Sequence, residues 1–454
     1  MSPQLQACCL LQGVAMITPK IGSESTQSLQ PELSQSSTGL SYPLALTALT
    51  TLFFLWGFVT SFNDILIPHL KAVFSLNYAQ AMAVNMAFFG AYALVSYPAS
   101  IQIKKLGYQA GLVAGLLVSA FGALLFAWTA THLSYPMTLA ALFILASGIT
   151  MLQVAANPYV ICLGSAHSAS TRLTMTQAFN SLGTTIAPAV GALLILSQMG
   201  TSETGVALAS SAVNVAEKAA KVEIPYLALA GLLFALAILF SWLKLPKVQQ
   251  HQESQPTGIG TVLKHRHLSL GVIAIFVYVG AEVGIGSFMV NYFSDPAIAG
   301  LAEHQAAQYV SLYWGGALLG RFLGLPLLHK FKPSQVLKWN AIAAASFLLI
   351  SMKSSGPIAL YSLILVGLFN SIMFPTIFSL ALEKLGVLAS QGSGLLCVAI
   401  VGGAIMPMLQ GLYADQAGVQ LSFVVPFLCY LYIVYYGHSG YKVEHRVCSQ
   451  QSES

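Results

Sequence analysis

The sequence predicts an all-α integral membrane protein of twelve transmembrane helices, arranged as two similar six-helix halves, and three observations predict it. Of the 454 residues, 56% are hydrophobic and only 7% charged, with a mean hydropathy of +0.74. A soluble domain carries about 25% charged residues, so most of this chain faces lipid. The charges are also clustered, leaving charge-free runs at 72–103, 108–171, 173–202, 224–243, 339–352, 385–414 and 416–441. Several of these reach or exceed the roughly 20 apolar residues that cross the hydrocarbon as a helix. Finally, the apolar runs are continuous and show no period-2 alternation. That excludes a closed barrel, the other architecture whose backbone is satisfied within lipid.

The elements follow in order. Residues 1–42 are Ser/Gln-rich from Ser23 to Ser37 and are expected to be disordered. The apolar stretch Ala7 to Ile17 is short and has no basic segment before it, so it is not read as a cleaved signal; Met16 is an alternative start. Spans are expected at about 43–68, 78–102, 109–131, 136–161, 172–198, 224–244, 268–294, 305–328, 335–353, 357–382, 391–413 and 420–438. Pro, Gly or charge separates them, as in Lys104-Lys105-Leu106-Gly107 and Lys330-Phe331-Lys332-Pro333. A polar stretch joins the sixth and seventh spans. It divides the chain into an N-terminal bundle (43–246), a linker (247–267), a C-terminal bundle (268–438) and a tail (439–454). Of six cysteines, Cys162, Cys397 and Cys429 fall within spans or at their ends. None has metal-ligand spacing, so they read as small hydrophobes, and no disulfide framework is suggested.

The distribution of Lys and Arg sets the orientation. With the N-terminus in the cytoplasm, 14 of the 19 basic residues lie on the inner side and 4 outside, with Arg321 inside a span. Both termini are then cytoplasmic. The halves echo each other weakly: a shift of 225 residues aligns Gly90 with Gly315 and Lys105 with Lys330, and Pro188/Gly191 has a counterpart in Pro407/Gly411. Two similar halves suit a carrier that rocks around a central site, although small residues at contacts are general in helical membrane proteins.

Ionisable groups inside lipid are expensive and mark function. Asp64 sits near the outer end of the first span, as a proton acceptor or an ordinary interfacial carboxylate followed by His69 and Lys71. Glu282 lies in mid-span and either takes part in sugar binding or coupling, or pairs with a residue such as Arg321. Arg321 reads as a tie between helices on the cytoplasmic side. Glu383 and Asp415 fall at span ends and read as solvated. Gln153 and Asn157, four apart, share one face of the fourth span; Gln177 and Asn180, three apart, share one face of the fifth. Amides offer donors and acceptors that suit sugar hydroxyls, or they bond helix to helix. Trp56 and Trp314 are candidates to stack on a pyranose ring or to serve as packing.

Asn63-Asp64-Ile65-Leu66-Ile67-Pro68, Gln153-Val154-Ala155-Ala156-Asn157-Pro158-Tyr159, Thr176-Gln177-Ala178-Phe179-Asn180-Ser181-Leu182-Gly183, Tyr278-Val279-Gly280-Ala281-Glu282, Gly320-Arg321-Phe322 and Phe374-Pro375-Thr376-Ile377-Phe378-Ser379-Leu380 occur in that order. Together they resemble the fucose–galactose–glucose:proton symporter family of the major facilitator superfamily, over about residues 45–438. The resemblance implies the major facilitator fold, alternating access and a hexose substrate. In the fucose permease branch an acidic residue precedes Ala-Ala-Asn-Pro and a Gln stands in the seventh span. Gln153 and Glu282 resemble the bacterial glucose/galactose branch instead. The loop Lys104 to Gly111 keeps the basic and glycine elements of the superfamily's loop signature but lacks its aspartate, so the associated gating salt bridge is expected to be altered.

The expected function is secondary active import of glucose or galactose. Sugar would bind to Gln153, Asn157, Gln177, Asn180 and Glu282, and a proton would couple through Asp64 or Glu282. Arg321, Lys104 and Lys105 are expected to gate or brace. Carriage of N-acetylglucosamine or fucose, sodium coupling, and a non-transporting sugar sensor are the alternatives. A sensor would append a soluble signalling domain, and 18 residues follow Tyr436. A membrane enzyme would need a constellation such as His/Asp metal ligands within the spans, but the ten histidines lie mostly in loops or at span ends. The expected partners are the hexose and the lipid bilayer of a bacterial inner membrane. No cofactor beyond the coupling ion and no nucleic acid is expected, and the chain is expected to act as a monomer.

Overall fold

The computed structural model describes residues 41–64, 78–132, 134–191, 211–246 and 259–443. The expected disordered N-terminal segment and most of the expected linker lie outside these residues. The N-terminal half holds α1 (Tyr42–Asp64), α2 (Tyr78–Leu106), α3 (Tyr108–His132), α4 (Tyr135–Cys162), α5 (Ala169–Gly191) and α6 (Ser211–Trp242). The C-terminal half holds α7 (Arg266–Ser294), α8 (Glu303–Lys330) and α9 (Pro333–Lys353), then three interrupted helices. These are α10 (Gly356–Asn370 and Met373–Ala381), α11 (Ala389–Val398 and Gly402–Ala417, joined by a 3-10 turn) and α12 (Val419–Ser422 and Val424–Tyr435, ending in a π turn). A short helix, Ile259–Leu263, precedes α7.

Ten helices among the described residues are long and apolar enough to cross a membrane. The two left out, α5 and α8, are interrupted by polar residues: Arg172, Thr174, Thr176, Gln177 and Asn180 on one, Gln305, Gln308 and Arg321 on the other. Their packing explains why this is tolerated. They lie against each other across the boundary between the halves, where Arg321 of α8 reaches the Gln177 carbonyl of α5, so that part of their polar surface meets protein instead of lipid. Helix α6 begins at Ser211, well before the expected 224. The extra turns hold the charged residues Glu217, Lys218 and Lys221.

The pseudo-symmetry is plain in the packing partners. In the N-terminal half α1 packs on α5, α2 on α4, and α3 on both α4 and α6; in the C-terminal half α7 packs on α11, α8 on α10, and α9 on both α10 and α12. Between the halves, α2 meets α11 and α8 meets α5, again related by a shift of six helices. Matching 3-10 turns, Ala166–Ser168 and Gly386–Leu388, lead into α5 and α11. One connected hydrophobic core runs through both halves. Large apolar side chains such as Leu94, Trp242, Leu319 and Met408 stud the outside, as a lipid-facing surface requires.

Local sequence accounts for the breaks. Pro375 has no N–H to give the carbonyl four residues before it, Ser371, and α10 unwinds at Ser371–Ile372. Pro158 likewise leaves the Val154 carbonyl of α4 without its helical donor. Both freed carbonyls are used in the site described below. Gly107 alone separates α2 from α3, with φ of +90°, a conformation that glycine adopts without a Cβ clash.

Candidate substrate and coupling site

The polar residues expected on α4 and α5 lie on two helices that touch each other. Thr150, Gln153 and Asn157 follow at spacings of three and four on α4; Thr174 and Gln177 follow at three on α5. All five are buried, Asn157 completely. Gln153 Oε1, both amide atoms of Asn157, Gln177 Nε2 and the hydroxyls of Thr150 and Thr174 have no hydrogen-bond partner among the described residues. A buried polar atom left so costs about 1–3 kcal/mol. These six atoms on α4 and α5 are polar groups that a ligand rich in hydroxyls could satisfy.

Asn180 behaves differently. Its Nδ2 donates to the Phe53 carbonyl of α1 at 2.9 Å, so part of its amide serves the helix-to-helix contact. Trp56 is buried and packs at 5.1 Å from the Phe53 ring. Trp314 is 43% exposed and stands edge-on to Tyr313. Asp64 is the last described residue of α1, and its side chain lies outside the described residues.

Glu282 lies some 16 residues into α7, about 24 Å along the helix. It is only partly buried, and behind it sits a polar cluster that sequence reasoning missed. The Tyr278 hydroxyl, one turn back, lies 2.8 Å from Glu282 Oε1 and 3.0 Å from the Asn370 carbonyl. The Asn370 side chain donates to the Tyr313 hydroxyl at 2.8 Å and accepts from the Tyr430 hydroxyl at 2.7 Å. Tyr278, Tyr313 and Tyr430 are fully buried. The cluster thus joins α7, α8, α10 and α12 behind one carboxylate. The available signal was a lone amide, Asn370, in an otherwise apolar span.

Arg321 does not form the ion pair with Glu282 that was weighed above. Its Nε donates to the Ser371 carbonyl at 3.1 Å, the group that Pro375 leaves free, and its Nη1 donates to the Gln177 carbonyl at 3.2 Å. It thereby ties the two halves together beside the amide surface. Further ties lie toward the same end of the bundle, the end bearing Lys104, Lys105 and Lys330. The Ser170 and Ser379 hydroxyls bond each other. Ser390 donates to the Ser100 carbonyl at 3.0 Å, and Ser393 to the Val154 carbonyl at 3.0 Å. Lys104 Nζ reaches Gln391 Oε1 at 3.5 Å, while Lys105 is exposed. These serines gave no sequence signal beyond being small and polar.

Arg172, at the start of the expected fifth span, is 6% exposed. It donates to the carbonyls of Val160 (3.2 Å), Ile161 (2.7 Å) and Ser165 (2.9 Å). It satisfies the open carbonyl end of α4, where a cation is favoured. Glu383 and Asp415 are exposed.

The family model of the Major Facilitator Superfamily matches residues 49–399. The chain belongs to that superfamily. This facilitator is 51% identical over 413 residues to the glucose/galactose transporter of Brucella abortus, covering 91% of this chain and 98% of that protein. It is 44% identical over 406 residues to a putative glucose/galactose transporter of Helicobacter pylori, covering 88% and 98%. It is 33% identical over 422 residues to the L-fucose-proton symporter of Escherichia coli, covering 90% and 96%. Among solved structures, that of FucP in the outward conformation matches with a TM-score of 0.80 at 33% identity, over 88% of this chain and 99% of that one. The facilitator is accordingly a multi-pass membrane protein built on the FucP fold.

Proposed function

We propose that this facilitator imports a hexose, glucose or galactose, across a bacterial inner membrane by proton symport with alternating access. The observation that carries the sugar reading is the set of unpartnered, buried amide atoms on Gln153, Asn157 and Gln177. Its relatives named for glucose and galactose support the choice of hexose, and the L-fucose-proton symporter supports the proton. With both termini in the cytoplasm, as the Lys and Arg bias favours, the tied end of the bundle faces inward. The structure is then outward-facing, like the FucP structure it matches.

In this reading sugar enters from outside and satisfies the amides of Gln153, Asn157 and Gln177, with Glu282 and the rest of the Asn180 amide completing its shell. Asp64 or Glu282 takes the coupling proton. Sugar and proton together favour release of the inner ties, since a ligand shifts such an equilibrium only through differential affinity for the two states. The test is radiolabelled glucose uptake into proteoliposomes under an imposed inward proton gradient, with galactose, fucose and N-acetylglucosamine as competitors. Accumulation blocked by galactose and untouched by fucose supports the proposal. Uptake driven by a sodium gradient alone, or inhibited by fucose rather than galactose, overturns the stated coupling or substrate.

A further inference from the structure

Five residues link the partly exposed carboxylate of Glu282 to the contact between the halves without a gap. Tyr278 lies between Glu282 Oε1 and the Asn370 carbonyl. Asn370 and Ser371 are consecutive, at the break in α10. The Ser371 carbonyl receives Arg321 Nε, and Arg321 Nη1 reaches the Gln177 carbonyl in the opposite half. Gln177 is also the residue whose side-chain Nε2 is unpartnered on the amide surface of α5.

Within this chain, the Tyr278 hydroxyl has one proton and two oxygen acceptors within 3.0 Å, one a carboxylate and the other a carbonyl. It can satisfy only one of them fully. An ionised Glu282 is the stronger acceptor, since a charged partner roughly doubles the strength of a hydrogen bond. Once Glu282 has taken a proton from water, its carboxyl can itself donate to the Tyr278 oxygen, and the Tyr278 proton turns to the Asn370 carbonyl. The atoms around this choice are fixed. Tyr313 and Tyr430 hold both ends of the Asn370 side chain, so the hydroxyl proton is the part free to move.

We propose that Tyr278 is a proton-sensing positioning residue. It passes the protonation state of Glu282 through the broken segment of α10 to Arg321, and so to the clamp on Gln177. The sugar surface and the coupling carboxylate are thereby joined by a two-position element, which is what energetic coupling between sites requires. The inference rests on the proposed role of Glu282. The titratable or charged groups around that carboxylate are Tyr278 on its own helix, Tyr313 and Arg321 from α8, and Tyr430 from α12. From α11, Met406 and Gln410 pack at Gly280 and Gly284, and neither titrates.

The test is the pH dependence of glucose affinity, measured by titration calorimetry on the full-length protein in detergent. In the unmodified protein, affinity is expected to change about tenfold between about pH 5.5 and pH 8, within the usual range of coupling. Tyr278→Phe should retain affinity within about threefold at the favoured pH yet flatten the dependence to under about threefold. Arg321→Lys, which cannot fork to two carbonyls, should flatten it similarly, and the double variant should add nothing further. It also serves if Tyr278→Phe does not fold. Glu282→Gln separates the two claims. If Glu282→Gln abolishes the pH dependence while Tyr278→Phe and Arg321→Lys keep it in full, the relay is overturned and the role of Glu282 stands. If Glu282→Gln keeps it, the role of Glu282 itself fails. A uniform loss of affinity with Tyr278→Phe, at unchanged pH dependence, also overturns the relay.

Discussion

The Ser393 hydroxyl of α11 donates across the boundary between the halves to the Val154 carbonyl of α4, 3.0 Å away. That carbonyl is open because Pro158, four residues on, has no N–H to fill it. A proline in one half therefore creates the acceptor for a serine of the other. At Pro375 the opened Ser371 carbonyl is filled from within the same half, by Arg321 of α8, whose Nη1 then reaches the Gln177 carbonyl of the other half. Helix interruptions here serve closure rather than bending alone.

Replacing Pro158 by Ala should supply the missing N–H and compete with Ser393 for Val154. Pro158→Ala and Ser393→Ala should each weaken closure at the basic end by about 1 kcal/mol, the net value of one hydrogen bond. The check is the alkylation rate of a cysteine introduced by Ser100→Cys in a background lacking native cysteines; Ser100 is fully buried in the closed interface. A severalfold rise in both variants is expected, with the double variant little different from either.

Asn157 is fully buried with neither amide atom partnered, and the proposed function assigns its polarity to binding, not to stability. Asn157→Leu should leave the ligand-free melting temperature unchanged or raise it, by relief of about 1 kcal/mol or more. The stabilisation that glucose gives the unmodified protein should disappear. Thermal unfolding in detergent with and without glucose measures both. A large fall in melting temperature with the glucose shift preserved would assign Asn157 a structural role.

A Cβ on Gly183 would collide with the Phe54 carbonyl where α5 crosses α1. Backbone cannot step aside as a flexible side chain can, so Gly183→Ala should destabilise the N-terminal half by about 1–3 kcal/mol. Gly231→Ala, at a position with open space around it, is the matched control and should be near neutral. Thermal melts of the two variants decide this directly.

The bonded hydroxyls of Ser170 and Ser379 bring α5 and α10 into direct contact. The paired substitutions Ser170→Cys and Ser379→Cys should cross-link under mild oxidation and stop net glucose uptake by at least about tenfold, with recovery on reduction, since rocking of the halves requires this contact to open. Uptake unaffected by the cross-link would mean that the inner ends do not part during transport.

Much of this arrangement was legible in the sequence. Twelve spans, two halves and the amide pairs on the fourth and fifth spans all followed from charge-free runs and from polar residues out of place in lipid. Gln153, Asn157 and Gln177 were visible because an amide in an apolar helix has few inexpensive explanations. Asn180 carried the same signal and turned out to serve packing as well, because spacing along one helix does not reveal which neighbour lies opposite. Tyr278, Tyr313 and Tyr430 were hidden among nineteen tyrosines, since a buried tyrosine is mostly apolar surface and its hydroxyl declares itself only when a partner converges from another helix. The carbonyls opened by Pro158 and Pro375 could be derived from the sequence, but the side chains that fill them come from 239 residues further on in the opposite half, for Ser393, or from a neighbouring helix 50 residues earlier, for Arg321. Long-range partners of that kind leave no local pattern.

The central claim is that sugar and proton move together, and the most direct measurement is the external pH of lightly buffered, de-energised proteoliposomes on addition of sugar. The account predicts transient alkalinisation outside when glucose or galactose is added, none with fucose, and loss of the signal with Glu282→Gln or Asp64→Asn while sugar exchange persists. Glucose uptake at normal rates with no pH change, or an unaltered signal in both carboxylate variants, would contradict it.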